Sequence, residues 1–321
     1  MKDIDQANPL LLSLSGGGFR GYFQAKVLEL MEDEFGGPIA NKFALIAGTS
    51  IGGINALALA AEVPASEMVK FYKEQGPKIF CHKPWNIWRV GGFLSRRYSD
   101  RPLKAALKSL FQDRTIADLN HHVLIPSVNY STGKPQMFKT PHHSSLVIDK
   151  KYKLVDVALA TSAAPTYFPI HKMDVDGGCY MVDGGLVANH PGQYACIEAE
   201  KYLSLKSDSL RLLHIGTMSS GITSACERTG SGFLTQWRGR LFDLSISAQE
   251  GATENILKFK LGNRYFKIDV EPPKEQIKYV DLDKATEKAM DVLSQQAHSA
   301  YQNAHTALQS FLAEGEQKND K

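Results

Sequence analysis

Cysteine is scarce in this chain, and long apolar runs, charge of one sign and internal repeats are missing. The four cysteines among 321 residues (Cys81, Cys179, Cys196 and Cys226) stand far apart with no Cys-x-x-Cys pair. That removes a disulfide framework and a zinc ribbon and leaves reduced, partly buried thiols as the expectation. With 37 Lys and Arg against 34 Asp and Glu, the net charge is only +3, so there is no basic footprint for a nucleic-acid polymer. The apolar window 54–61 is far too short to span a bilayer. The opening MKDIDQANP lacks the apolar core of a signal peptide. A soluble, cytoplasmic protein that meets a membrane only at its surface is expected. No linker interrupts the chain. One domain is expected over residues 10–313, with its core motifs within 10–200 and a helical C-terminal part from about 241. Residues 1–9 and 314–321 read as flexible ends. At 43% hydrophobic residues there is ample material for a core.

What is present is organised around FALIAGTSIGGINALALAA, residues 43–61. A short apolar strand, Phe43–Ala47, runs into the turn Gly48-Thr49-Ser50-Ile51-Gly52 and then into an Ala/Leu-rich helix. A serine at the apex of Gly-x-Ser-x-Gly between strand and helix is the nucleophile-elbow pattern. Side chains at Gly48 or Gly52 would collide with the neighbouring strand or helix in so sharp a turn. The helix N-terminus near Ser50 also places positive dipole where an oxyanion would develop. A structural Gly-Ser turn is the plain alternative for the motif on its own.

A second strand–loop–helix unit precedes it. Leu10–Leu14 reads as a buried strand and leads into Ser15-Gly16-Gly17-Gly18-Phe19-Arg20-Gly21, then an amphipathic helix stopped at Gly36-Gly37-Pro38. Backbone N–H groups in such a loop cradle an anion. The form Gly16-x-Gly18-x-x-Gly21 also matches a dinucleotide fingerprint. The acid that should close a second strand is missing, because Asp33 and Glu34 fall in the helix end. No Gly-Lys-Ser/Thr follows to make a phosphate-binding P-loop. If the two strands lie near each other in a parallel sheet, both loops project from one carboxyl edge. The Gly17 and Gly18 amides then form an oxyanion hole beside Ser50. Arg20 either buttresses the loop, meets an anionic substrate group, or is an exposed residue at the helix start.

Farther on, 64–80 and 100–111 read as helices, and 123–130 with 136–140 as paired strands around Ser131–Lys134. The stretch 81–100, with two Trp and several basic residues, reads as a surface loop or as a lid at a membrane interface. His121, His122, His142 and His143 read as solvated loop residues. The helix 155–164 is followed by a strand-like stretch through Val175, and 179–182 by Asp183-Gly184-Gly185. An acid at a strand end beside glycines can take a proton from a neighbouring hydroxyl, although an Asp-Gly turn is its plain reading. Leu210–Ile215 is a buried strand with His214 inside it. Residues 216–240 read as a long connection rich in Ser, Thr, Gly and Arg. Helices at 242–257 and 281–312 flank a strand at 264–270. A Ser-His-Asp triad would draw on His190 or His214, neither on a convincing loop. A Ser-Asp dyad needs neither, and asks instead that Asp183 be desolvated to raise its pKa.

Four blocks then carry a resemblance: SGGGFRG (15–21), GTSIGG (48–53), ATSAAPTYFP (160–169) and DGGLVANHP (183–191). In order and content they resemble the patatin-like phospholipases. The resemblance implies an α/β, three-layer patatin-like fold with a central, mostly parallel sheet flanked by helices. It also implies hydrolysis of phospholipid acyl esters at a membrane surface. Ser50 would be the nucleophile, Asp183 the base, and Gly17 and Gly18 the oxyanion donors. Gly16, Arg20, Gly21, Gly48, Gly52, Gly184 and Gly185 would support the site, with no metal and no cofactor for the chemistry. The first block departs from the family at Ser15, where an Asp is usual. A narrower resemblance, carried by NKFALIAGTSIGGINALALA and LGNRYFKIDV, is to the patatin-like effectors of bacterial anti-phage CBASS systems. It implies activation by a cyclic dinucleotide from a partner synthase, and residues 216–240 offer Arg and hydroxyl groups for its phosphates. A homo-oligomer is allowed. A constitutive lipase, lysophospholipase or esterase, and a non-catalytic lipid-binding module, remain the alternatives.

Overall fold

Leu10–Leu14 forms strand β1, buried at every position. In the computed structural model, residues 8–81, 98–175, 177–218 and 240–313 are described. The lid or loop expected at 81–100 lies outside them but for its ends. So do most of the 216–240 connection with Cys226, and residues 1–7 and 314–321. Among the described residues the sheet has eight strands: β1, β2 (Leu45–Gly48), β3 (Val123–Asn129), β4 (Lys134–Lys139), β5 (His171–Lys172), β6 (Tyr180–Asp183), β7 (Arg211–Ile215) and β8 (Tyr265–Ile268). Their order is β5-β6-β3-β2-β1-β7-β8, with β4 paired to β3. β3, β2, β1, β7 and β8 run parallel to one another, and β4, β5 and β6 supply the antiparallel pairings. The two loops that follow β1 and β2 therefore leave adjacent strands at the same edge.

Both faces of the sheet are covered, which is why β1 is leucine nearly throughout rather than alternating. Leu10, Leu12 and Leu14 pack with helices α1 (Gly21–Phe35), α2 (Ile51–Ala60), α3 (Ala65–Ile79), α4 (Arg101–Phe111), α5 (Leu154–Thr161) and α9 (Glu287–Ala313). Leu11, Leu45, Ala47 and Leu212 pack on the other face, against α7 (Gly192–Tyr202) and the end of α8 (Arg240–Leu261). The short α6 (Gly185–Ala188) follows β6 directly. Side chains of period two thus build the three layers, and each fully buried leucine contributes about 2 kcal/mol of apolar transfer.

Pairing along β3 positions the site. Leu124 pairs with Ala47 on one side and Lys139 on the other, and Ser127 pairs with Asp183 and with Gln136. With β4 filling one edge of β3, β2 and β6 share the other. β2 runs parallel to β3 and β6 antiparallel, so their carboxyl ends meet head to head.

Some expectations shift. The elbow strand begins at Leu45 rather than Phe43, and the strand through Val175 contracts to His171–Lys172. The last helix starts at Glu287, and the residues before it form an irregular crossing with one turn of 3-10 helix at Ile277–Tyr279. The histidines at 121, 122 and 142 are not solvated. His121 and His122 are buried, and His142 meets the His122 ring edge-on and bonds the Glu198 carboxylate at 3.0 Å. Glu198 comes from α7, so no local pattern could announce it. Only His143 of the four is exposed.

Candidate active site

The turn after β2 brings Ser50 to φ 55° and ψ −122°, a conformation that costs a non-glycine residue on the order of 1–3 kcal/mol. The surroundings hold it there. The Ser50 N–H donates to Thr161 Oγ1 at 2.9 Å, and the Thr161 hydroxyl donates to the Pro126 carbonyl at 2.6 Å. A side-chain carbon at Gly52 would lie 2.4 Å from the Leu14 carbonyl oxygen and 2.6 Å from that of Ser15. α2 therefore crosses directly over the end of β1, where the glycine-rich loop begins. At Gly48 the same carbon would meet the Gly52 carbonyl at 2.1 Å.

Asp183 ends β6 and is buried. The Ser50 hydroxyl donates to its Oδ2 at 2.7 Å, and the Gly185 N–H donates to its Oδ1 at 2.6 Å. Gly184 passes close over β3 and gives its N–H to the Thr161 carbonyl at 3.1 Å. Burial lifts the Asp183 pKa from 3.8 to about 6, against the Gly185 and Ser50 donors that favour the anion. The group is a stronger base than an ordinary carboxylate and is still ionised at neutral pH. A hydroxyl donating to such a base at this distance is poised to lose its proton on attacking an electrophile.

The glycine-rich loop is tied down on all sides. Gly16 gives its N–H to the Asn189 carbonyl at 3.2 Å, and its own carbonyl accepts from Thr217 Oγ1 at 2.9 Å and Asn189 Nδ2 at 3.3 Å. The Phe19 N–H donates to the Leu282 carbonyl at 2.7 Å. The Gly17 and Gly18 amides find no hydrogen-bond partner among the described residues, and both glycines line one cavity with Ser50 and Asp183. Arg20 is half-buried and buttresses the loop: its guanidinium donates to the Gly17 carbonyl at 3.4 Å and to the Met218 carbonyl at 3.2 Å. Burial lowers its pKa, opposed by Glu250, Asp269, Asp281 and Asp243. Gly21 opens α1 against Ile51 and Tyr72.

Neither candidate histidine reaches the serine. His190 bonds Ser13 Oγ at 3.2 Å and the Tyr265 hydroxyl at 3.1 Å. His214 bonds the Ser13 carbonyl at 3.1 Å and lies 3.5 Å from Ser15 Oγ. Their rings stack at 3.6 Å inside the protein. Burial pulls His190 down to about 3 and His214 well below its ordinary value, so both are neutral. Ser15, at which the first block departs from the resemblance, is buried beside His214. Residues missed in the sequence complete the surroundings. Thr161 and Asn189 lie inside two of the four blocks, so the signal was there. Glu250 gave none: it reaches the loop from α8, accepting from Asn189 Nδ2 at 2.7 Å, with its carboxyl raised by burial.

The cavity holds about 480 Å³, and its walls are largely apolar, with Phe19, Ile54, Phe71, Phe80, Leu103 and Phe168 among them. Among the described residues no helix is long and apolar enough to cross a membrane. A family model described as patatin-like phospholipase matches residues 12–195. The chain is 46% identical over 296 residues to a cGAMP-activated phospholipase of Pseudomonas aeruginosa, covering 92% of this chain and 88% of that protein. It is 34% identical to a cGAMP-activated phospholipase of Vibrio cholerae, covering 88% of each. Human GIVD cytosolic phospholipase A2 matches in fold alone, with a TM-score of 0.53 at 10% identity, over 97% of this chain and 60% of that one. Matched across more than half its length by the family model and across nearly all of it by these relatives, the chain belongs to the patatin-like phospholipases.

Proposed function

We propose that this phospholipase releases fatty acids from membrane phospholipids through a Ser50–Asp183 dyad and is switched on by a cyclic dinucleotide. The observation that carries the dyad is the 2.7 Å bond from the Ser50 hydroxyl to a buried carboxylate, at a cavity with apolar walls. Ser50 Oγ attacks the ester carbonyl carbon while its proton passes to Asp183 Oδ2. The carbonyl oxygen, now an anion, is held by the Gly17 and Gly18 amides. Collapse expels the lysophospholipid alkoxide, which takes the proton back from Asp183. Water then attacks the acyl-serine, again giving a proton to Asp183; collapse breaks the bond to Ser50 Oγ, which takes that proton back, and the fatty acid leaves. Gly16 and Gly21 seat the donor loop, Arg20 braces it, Gly48 and Gly52 allow the elbow, and Gly184 and Gly185 hold the acid.

Nucleotide control is supported by the relatives named as cGAMP-activated phospholipases, which align over 88% of their own length. Membrane degradation on such a signal is the output of an anti-phage effector, acting peripherally on the inner membrane from the cytoplasm. The test is fatty-acid release from phospholipid vesicles with cGAMP, with other cyclic dinucleotides and with none. Release with cGAMP alone, lost in Ser50→Ala, is expected. Equal release without any nucleotide would make the enzyme constitutive, and release by Ser50→Ala would overturn the dyad.

A further inference from the structure

The segment between β8 and α9, residues 269–286, has no strand or α-helix of its own, yet it lies directly against the glycine-rich loop. A side-chain carbon on Gly18, whose φ is 57°, would come within 2.2 Å of the Leu282 carbonyl oxygen, so the two backbones are in contact there. The same carbonyl accepts the Phe19 N–H at 2.7 Å. That bond fixes the plane of the Gly18–Phe19 peptide. The preceding peptide is fixed from its other end, because the Gly17 carbonyl accepts the Arg20 N–H at 3.2 Å. A run of three glycines has many shapes open to it; these two bonds fix the peptides on either side of the Gly18 Cα and with them the Gly18 amide, while the Gly17 amide shares its peptide with the Gly16 carbonyl held by Thr217 and Asn189, and both glycines line the cavity. Leu282 is in turn placed by its neighbour. The Tyr98 hydroxyl donates to Asp283 Oδ2 at 2.9 Å, the Tyr98 N–H donates to the Tyr167 carbonyl at 2.8 Å, and the Tyr98 ring packs on Phe80 at 5.5 Å and Phe168 at 6.1 Å.

We infer that Tyr98 and Asp283 are positioning residues for hydrolysis: their bond clamps the crossing segment so that Leu282 holds the oxyanion loop in its working shape. The inference rests on the oxyanion role proposed above for Gly17 and Gly18. Neither residue touches the reacting atoms. Each acts through the Leu282 carbonyl, and the effect belongs in turnover rather than in substrate affinity.

The test compares Tyr98→Phe, Asp283→Ala, Asp283→Asn, the Tyr98→Phe/Asp283→Ala double variant and Ser50→Ala in the full chain. Each is assayed on p-nitrophenyl butyrate with cGAMP present, and by the rate at which a fluorophosphonate labels Ser50. Tyr98→Phe and Asp283→Ala are each expected to lower kcat about tenfold, a fraction of the roughly 100- to 1,000-fold cost of deleting an oxyanion donor. KM should stay within about twofold, and labelling should slow by the same factor as kcat. The double variant should fall no further than either single one, since both break one bond. Asp283→Asn keeps an acceptor oxygen and should restore most of the rate. Wild-type kcat in Tyr98→Phe, or losses that add in the double variant, would overturn the inference while Ser50→Ala stays inactive. Activity in Ser50→Ala would remove the reading it rests on. If Asp283→Ala does not fold, Tyr98→Phe, which retains the ring and its packing, decides alone.

Discussion

Replacing Asp183 by asparagine tests the dyad and the cost of burying it in one variant. The amide keeps the shape of the carboxylate: its oxygen can accept the Gly185 N–H now at 2.6 Å, and its NH2 can face the Ser50 Oγ now at 2.7 Å. What it lacks is basicity. Loss of a general base costs about 10²- to 10⁴-fold, so fatty-acid release should fall by that order with the fold intact. Stability should move the other way. Burial raises the Asp183 pKa from 3.8 to about 6, so the folded protein binds this proton more tightly than the unfolded chain does. That contribution is full below the unfolded value and is lost as pH rises through about 6. At about 1.4 kcal/mol per tenfold change in ionisation constant, the loss amounts to roughly 3 kcal/mol above neutrality. The neutral amide of Asp183→Asn avoids that loss. At about pH 8 the variant should therefore melt several degrees above the wild type, and the two should converge as pH falls toward about 4. Thermal unfolding across that range and vesicle hydrolysis at its upper end supply both readings. Turnover near the wild-type rate would refute the base assignment, and a variant less stable at about pH 8 would refute the desolvation argument.

Three further outcomes follow from the same geometry. Because Asp183 must be ionised to accept a proton, log(kcat/KM) should rise with pH up to about 6 and level off above it; a profile flat between about pH 5 and 7 would contradict the assignment. Ser50→Gly should abolish probe labelling yet gain about 1 kcal/mol in denaturant unfolding, since φ 55° suits glycine, whereas Ser50→Ala should lose labelling with no such gain. Gly52→Ala should cost about 2–3 kcal/mol or prevent folding, because the new carbon meets backbone oxygens at 2.4 and 2.6 Å, while Gly251→Ala, with nothing within 4 Å, should cost nothing by the same unfolding assay.

The sequence by itself determined what depends on near neighbours. Leu10–Leu14 reads as a buried strand from its short apolar run. Gly48 and Gly52 around Ser50 marked an elbow, and the order of the four blocks pointed to the family. The glycine-rich loop could be placed at a helix start because strand, loop and helix follow one another within a dozen residues. Tertiary structure decided the rest, and the reason is register. Ser50 and Asp183, 133 positions apart, meet because β2 and β6 occupy one edge of β3 with their carboxyl ends facing. No local pattern encodes that pairing. The same holds for the raised pKa of Asp183, which is set by burial, and for Glu198 beneath His142 and Glu250 beside the loop, which arrive on distant helices. Leu282 is the plainest case: a main-chain carbonyl has no side-chain identity to read, so only the fold could bring it to Phe19.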